Sequence, residues 1–92
     1  MLWVIETNQG AFEAPTKRKI ISDIVKYFGE NKYICFKIKS INCVLKSGEE
    51  KEICVKVVSL IQDMIQENIY QYIEELEILE LQSSPEYFFN QI

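Results

Sequence analysis

The clearest alternation of hydrophobic and polar positions lies in residues 61–76, IQDMIQENIYQYIEEL. Apolar side chains recur there at intervals of three and four residues, which is the spacing of one face of an α-helix. Amide and carboxylate side chains, beginning with Gln62 and Asp63, cover the other side. The pattern predicts an amphipathic helix over residues 59–75, with one buried face and one acidic, solvated face. The buried stripe comprises Ile61, Met64, Ile65, Ile69, Tyr72, Ile73 and Leu76.

The N-terminal segment predicts a strand. Residues 2–6 form a short apolar run with β-branched side chains, which is typical of a buried strand. Residues 8–10 can also turn a tight hairpin into residues 11–14. Pro15 then ends any strand pairing, because proline has no backbone N–H to donate.

A first helix is predicted over residues 17–28, where apolar residues again recur at helical spacing. Thr16 is its predicted N-cap, and Gly29 is its predicted stop. The first turn of this helix is basic, although the helix dipole favours negative charge there. Three cations at a helix N-terminus suggest a site for a phosphate group or an acidic partner. They are Lys17, Arg18 and Lys19.

Residues 33–45 predict a strand with an irregularity in its middle. Ile34, Phe36 and Ile38 alternate with polar or smaller side chains, which is the period of a strand with one wet face. Beyond Ser40 the apolar phase shifts by one residue. A β-bulge near residues 39–41 would produce that shift and return the side chains to the core.

Residues 47–50, Ser-Gly-Glu-Glu, are the strongest turn signal in the chain. A second strand is predicted to return antiparallel through residues 52–57, where apolar and polar positions alternate again. The predicted register places Leu45 opposite Ile53, Cys43 opposite Val55, Ile41 opposite Val57, and Lys46 opposite Glu52.

The predicted order of elements ends with a strand over residues 76–82. Strand, helix, strand, strand, helix and strand in one domain of 92 residues indicate an α+β fold of the ferredoxin-like type, βαββαβ. Its four-stranded antiparallel sheet would carry both helices on one face. One alternative remains open, because residues 49–84 contain no glycine or proline and also allow a single helix of some thirty residues.

Charge and residue usage exclude several kinds of chemistry. The chain has no histidine, so it lacks the usual general base and the commonest metal ligand. Gly10, Gly29 and Gly48 lie in separate turns and form no phosphate-binding loop. We therefore expect a non-enzymatic protein without a metal or cofactor. The cysteines Cys35, Cys43 and Cys54 are expected to be buried and reduced, although Cys43 and Cys54 could pair across the predicted hairpin.

The uneven charge distribution suggests a binding role. The net charge is −4, and residues 67–92 contain no lysine or arginine. An acidic surface of this kind can imitate nucleic-acid phosphates and inhibit a nucleic-acid-binding enzyme. The C-terminal tail, residues 83–92, adds apolar groups that favour contact with a protein partner or a second copy of the chain. The predicted acidic residues are Glu67, Glu74, Glu75, Glu77 and Glu80, and the predicted hydrophobic interface is Tyr87, Phe88, Phe89 and Ile92.

Two further hypotheses come from other functional classes. Lys37 and Lys39 are predicted on the open face of the sheet and, with the basic helix start, could bind a nucleic acid or nucleotide. The overall acidity disfavours that role. A small-molecule sensor, in which paired ferredoxin-like units bind a ligand between them, rests on the predicted fold alone.

The expected location is the cytoplasm. The longest apolar runs are far shorter than the roughly 20 residues of a membrane-spanning helix, and the N-terminus has no basic region typical of an export signal. Nine lysines stand against one arginine, and isoleucine is abundant. This usage is typical of an AT-rich genome, such as that of a phage or another mobile element acting inside an infected cell.

Overall fold

A computed structural model of the chain describes residues 1–83, and those residues form four strands and two helices. Every strand pairing is antiparallel, and the strand order in the sheet is β2-β1-β3-β4. The predicted α+β class, with a four-stranded antiparallel sheet and two helices, is confirmed. The elements are β1 (Leu2–Thr7), β2 (Gly10–Ala14), α1 (Lys17–Glu30), β3 (Ile38–Val44), β4 (Glu50–Glu52) and α2 (Val55–Ser83).

The ferredoxin-like arrangement is not confirmed, and the predicted final strand is wrong. α2 continues through residues 76–82 as a helix, so the open alternative of one long helix is close to the observed structure. The fourth strand is β2 instead, which the N-terminal hairpin places beside β1 with Ile5 opposite Phe12. Residues 76–82 are mostly leucine and glutamate, which are strong helix formers, and nothing before Pro85 interrupts them.

Both helices cover one face of the sheet. α1 contacts β1 and β2, α2 contacts β3, and the two helices pack on each other. The residues of the sheet that face them include Ile5 and Ile41, which lie opposite each other on β1 and β3 and are almost fully buried. The helices contribute Ile20, Ile24, Phe28, Ile65 and Ile69 to the same core.

An aromatic cluster forms the centre of this core around Phe28, which is fully buried. Its ring meets Phe36 edge to face at a centroid distance of 4.9 Å and Tyr27 at 5.2 Å. Phe12 of β2 lies 6.2 Å from Phe28 and 5.6 Å from Tyr27. These distances fall in the range of favourable aromatic pairs, so the cluster joins β2, α1 and the segment before β3.

The predicted start of α1 is confirmed, whereas its predicted stop is wrong. The Thr16 hydroxyl accepts a hydrogen bond of 3.2 Å from the backbone N–H of Lys19, as an N-cap does. The helix passes through Gly29 and ends at Glu30. Asn31 caps it, because its backbone and side-chain N–H groups both donate to the carbonyl of Tyr27. Gly29 is buried against the ring of Tyr72, so its missing side chain allows α1 and α2 to approach closely.

The predicted β-bulge is confirmed. Glu6 of β1 pairs with Ser40, whereas the next residue, Thr7, pairs with Ile38. Lys39 is therefore the extra residue on β3. Because of this insertion, Ile38 and Ile41 both face the core although three positions separate them.

The predicted register of the β3–β4 hairpin is wrong. Val44 pairs with Glu50 and Cys43 with Lys51, and the chain leaves the sheet after Glu52. Gly48 has a φ of +87°, and the Leu45 N–H donates to the Glu49 carbonyl at 2.8 Å, which closes the loop earlier than predicted.

The three thiols are free, and the suggested pairing of Cys43 with Cys54 does not occur. Cys43 is buried on β3, as expected for a thiol that packs in a core. Cys35 and Cys54 are exposed, so the prediction that all three are buried is wrong. The early end of β4 explains Cys54, because that residue lies between β4 and α2 rather than on a strand.

Two neutral amide side chains fix the segment that leads into β3. Asn8, in the β1–β2 turn, donates to the Cys35 carbonyl at 2.6 Å and accepts from the Lys37 N–H at 3.0 Å. Gln62 of α2 accepts from the Ile38 N–H at 2.7 Å and donates to the Phe36 carbonyl at 3.0 Å. Gln62 was predicted to face solvent, but it bonds to backbone groups that would otherwise lose their partners.

Candidate functional site

The five predicted glutamates all lie on α2 and are exposed, but they do not form one face. A helix turns about 100° per residue, so Glu67 and Glu74 point nearly the same way, while Glu75 points about 100° away from Glu74. Glu80 points about 140° from Glu75. The carboxylates therefore spread over about 220° of the helix circumference, and the remaining part faces the core. Glu77 lies 3.6 Å from the Lys32 ammonium group, which follows α1.

The C-terminal part of α2 projects from the body of the protein. All side chains of residues 77–82 are exposed, and this segment is called the α2 end below. Ile78 and Leu81 have exposed fractions of 47% and 58%. The structure measures 61 × 23 × 18 Å, and a helix of 29 residues is about 43 Å long. The α2 end thus presents apolar groups among carboxylates. The predicted aromatic interface, Tyr87, Phe88, Phe89 and Ile92, lies outside the described residues.

The predicted basic residues fall into two separate groups. Lys17, Arg18 and Lys19 follow Ala14, which pairs with Trp3 near the start of β1, whereas Lys37 and Lys39 flank Ile38, which pairs with Thr7 at its end. Four residues of strand, about 13 Å, separate the two groups. Lys17 lies over the Trp3 ring at 5.0 Å, and Lys19 forms an ion pair of 2.8 Å with Asp23.

The open face of the sheet is acidic rather than basic. Lys37 precedes β3, and Lys39 is the bulge residue, which shares with Ser40 the position opposite Glu6. The outward positions alternate with the core positions along each strand. They hold Glu6, Glu13, Glu50 and Glu52, together with the uncharged Ser40, Asn42, Leu2, Val4 and Val44. The four carboxylates on this face disfavour contact with a nucleic-acid backbone.

Residues 1–83 contain neither a cluster of metal-ligating side chains nor a membrane-spanning helix. Within that range no group of three or more cysteine, aspartate or glutamate side chains is placed to hold a metal ion. Neither α1 nor α2, as far as the structure describes them, has a stretch apolar enough to cross a bilayer.

Sequence reasoning missed an apolar cavity of about 360 Å³ between the sheet and the helices. Trp3, Ile5 and Ile41 of the sheet form its floor. Val57, Ile61 and Met64 of α2 form one wall, and α1 forms the other. The spacing of these three α2 residues is helical, and it could have indicated the wall if residues 55–58 had been predicted as helix.

No protein-family model, curated protein or solved structure matches this chain. The surfaces that can carry a function are therefore identified by their own geometry. Two stand out in the part of the chain that the structure describes, namely the α2 end with its surrounding carboxylates and the apolar cavity. They lie at opposite ends of α2.

Proposed function

We propose that this protein is a non-enzymatic binding protein whose α2 end docks into a basic cleft of another protein. The observation that carries the proposal is the exposure of Ile78 and Leu81 on a projecting helix that has no cation after Lys56. These side chains are three residues apart and lie on adjacent turns, so a groove can accept both together.

The surrounding carboxylates indicate the chemistry of the partner. Glu74, Glu75 and Glu77 lie on the turn before Ile78, and all three are exposed. A cleft that accepts the apolar side chains would therefore have to supply cations on more than one side of the helix. Nucleic-acid-binding enzymes have clefts of that kind, because their substrates carry phosphates along both strands. We propose that the partner is such an enzyme and that the α2 end inhibits it by occupying its nucleic-acid cleft.

The first prediction concerns release of nucleic acid from such enzymes. A panel of purified DNA- and RNA-binding enzymes is loaded with fluorescein-labelled duplexes, and the protein is added while anisotropy is recorded. We expect release from at least one enzyme. The double substitution Glu74→Lys and Glu75→Lys should weaken the release at least about tenfold, because it places cations against the basic cleft.

The matched control is the double substitution Glu50→Lys and Glu52→Lys. Both residues are exposed on β4, and the substitution changes the net charge by the same amount. This control should release the duplex as the unaltered protein does. Equal losses in the two variants would show that only overall charge matters, and would contradict docking through α2. Release by no enzyme of the panel would contradict the proposed nucleic-acid mimicry.

A second candidate partner is another copy of this chain, and a specific surface favours it. A groove of about 540 Å³ runs between α1 and α2, with Ile21, Val25 and Met64 among its apolar lining. Arg18 and Lys26 of α1 also line it. Its cations complement the carboxylates on and just before the α2 end, among them Glu74 and Glu75. The α2 end of one copy can therefore occupy the groove of the other in a symmetric dimer.

The second prediction tests this self-association by charge exchange. We expect sedimentation equilibrium to show a concentration-dependent dimer that is weakened by Arg18→Glu with Lys26→Glu, and equally by Glu74→Lys with Glu75→Lys. Each pair places like charges across the interface. The two double variants mixed together should form a heterodimer, because both of its interfaces then pair opposite charges. This contact would be contradicted by a dimer whose dissociation neither pair of substitutions changes, or by a protein that stays monomeric at every concentration.

A further inference from the structure

The apolar cavity ends inside the molecule, unlike the groove between the helices. Its floor is the sheet itself, with Ile5 and Ile41 almost fully buried. α1 contributes Ile20, which is also buried, and α2 closes the opposite side with Ile61. A volume of about 360 Å³ lies in the range of small-molecule sites. The cavity is therefore large enough for a small-molecule ligand.

The polar side chains at the cavity are few and of one kind. Among the described residues that line it, only Lys17 is charged, and only Lys17 and Trp3 carry side-chain N–H groups. Lys17 lies with its ammonium nitrogen 5.0 Å from the centre of the Trp3 ring. Both groups donate hydrogen bonds, and no carboxylate or amide side chain lines the cavity. A ligand that fits this lining needs an apolar body and an acceptor with negative charge at one end.

We propose that this cavity binds an aliphatic carboxylate, with the chain among the isoleucines and the carboxylate at Lys17. The charge of Lys17 complements the head group, and the Trp3 indole N–H offers a second donor beside it. An extended peptide is a poorer occupant. Its backbone N–H and C=O groups would enter a lining without side-chain acceptors and would be left without partners.

Trp3 is the single tryptophan of the chain and lies in the cavity floor, so its fluorescence reports directly on occupancy. The test titrates the full chain with decanoate, below the concentration at which it forms micelles, and follows the Trp3 emission. Decanol is the matched ligand without a charge. We expect saturable changes with both ligands, with decanoate binding about tenfold more tightly, because only the carboxylate gains from the Lys17 charge.

Variants assign the response to the cavity. Lys17→Gln should remove most of the preference for decanoate over decanol, whereas Lys46→Gln, in the β3–β4 loop and not at this cavity, should preserve it. Val57→Phe and Ile61→Phe place larger side chains in the cavity and should weaken both ligands at least about tenfold. Leu60→Phe is the control for a bulky residue on the same turn of α2, since Leu60 is 69% exposed and does not line the cavity. Circular dichroism verifies that each variant is folded.

Three results would overturn the proposal. Equal affinities for decanoate and decanol, both in the unaltered protein and in the Lys17→Gln variant, would exclude the carboxylate site. An emission that neither ligand changes would exclude a small-molecule cavity. The third result would come from sedimentation. If the protein forms a dimer that Val57→Phe dissociates but decanoate does not, the cavity would be assigned to contact with a second copy. Failure of the α2-end experiments alone would leave this proposal standing, because none of the residues they change, Glu74 and Glu75 on α2 and Arg18 and Lys26 on α1, lines the cavity.

Discussion

Phe28→Ala is expected to lower the free energy of unfolding by about 3–5 kcal/mol, the cost of a large cavity in a packed core. Phe28 is fully buried and makes ring contacts with Phe12, Tyr27 and Phe36. The substitution removes all three contacts, and the neighbours come from different elements that cannot close the gap together. Domains of this size have a free energy of unfolding of about 5–15 kcal/mol, so the variant should lose a large part of its stability.

Urea unfolding followed by Trp3 emission and by circular dichroism measures this change, and the two signals should coincide if unfolding is two-state. Phe28→Leu keeps more of the volume and should be less destabilising. Tyr33→Ala is the exposed control, because Tyr33 is 93% exposed and its loss should change stability by no more than about 0.5 kcal/mol. A Phe28→Ala variant as stable as this control would mean that the aromatic cluster does not hold the core together.

Gly29→Ala is expected to destabilise the protein by about 1–3 kcal/mol, although alanine is the better helix former by nearly 1 kcal/mol. A Cβ atom at Gly29 would overlap Cδ1 of Tyr72 and lie 2.7 Å from its Cε1. The ring of Tyr72 is packed between the helices, so α1 and α2 would have to separate or the ring would have to leave its site. Steric overlap therefore outweighs helix propensity at this position.

The sign of the effect should reverse when Tyr72 is removed. In a Tyr72→Ala background, Gly29→Ala should stabilise the protein by up to about 1 kcal/mol, because only the helix propensity remains. Ser22→Ala, at an exposed position of α1, is the control for propensity in both backgrounds. Thermal unfolding of the four members of the cycle gives the coupling energy. A Gly29→Ala substitution that stabilises both backgrounds equally would show that the close approach of the helices is not present in solution.

Local signals predicted the parts of the fold that depend on local interactions. The N-cap at Thr16 follows from a hydroxyl placed just before a helical apolar pattern, and the bulge at Lys39 follows from a phase shift between Ile38 and Ile41. Both features can be identified within a few residues of sequence. The hairpin of β1 and β2 was visible as an alternative, because residues 8–10 have turn chemistry.

Features that depend on competition between elements could not be predicted in this way. Val55 and Val57 alternate with polar residues as a strand would, but they belong to α2, where the packing of a long helix on the core overrides β propensity. Glycine is a residue type that often ends a helix, yet the role of Gly29 depends on Tyr72, which is 43 positions away in the sequence. Gln62 appeared solvent-facing because its backbone partners, at positions 36 and 38, are also remote, at separations of 26 and 24 residues.

For the candidate sites, too, the sequence predicts local properties but not the arrangement of distant elements. The acidity of α2 is a property of sequence, and the five predicted glutamates are exposed, although they spread widely around the helix instead of forming one row. The two basic groups could not be separated without knowing that β1 lies between β2 and β3. The cavity is lined by four elements, β1, α1, β3 and α2, which are far apart in the sequence, so no local pattern predicts it.

The continuity of α2 joins the two candidate sites mechanically. Residues 55–83 contain neither proline nor glycine, so the helix has no intrinsic hinge. One wall of the cavity and the α2 end are parts of the same rigid rod, which packs on the core most closely at Ile65 and Ile69. A tilt of about 5° around Ile65 would move the far end of the helix by roughly 2 Å. α2 can thus act as a lever that turns a small displacement at the cavity into a larger one at the projecting end.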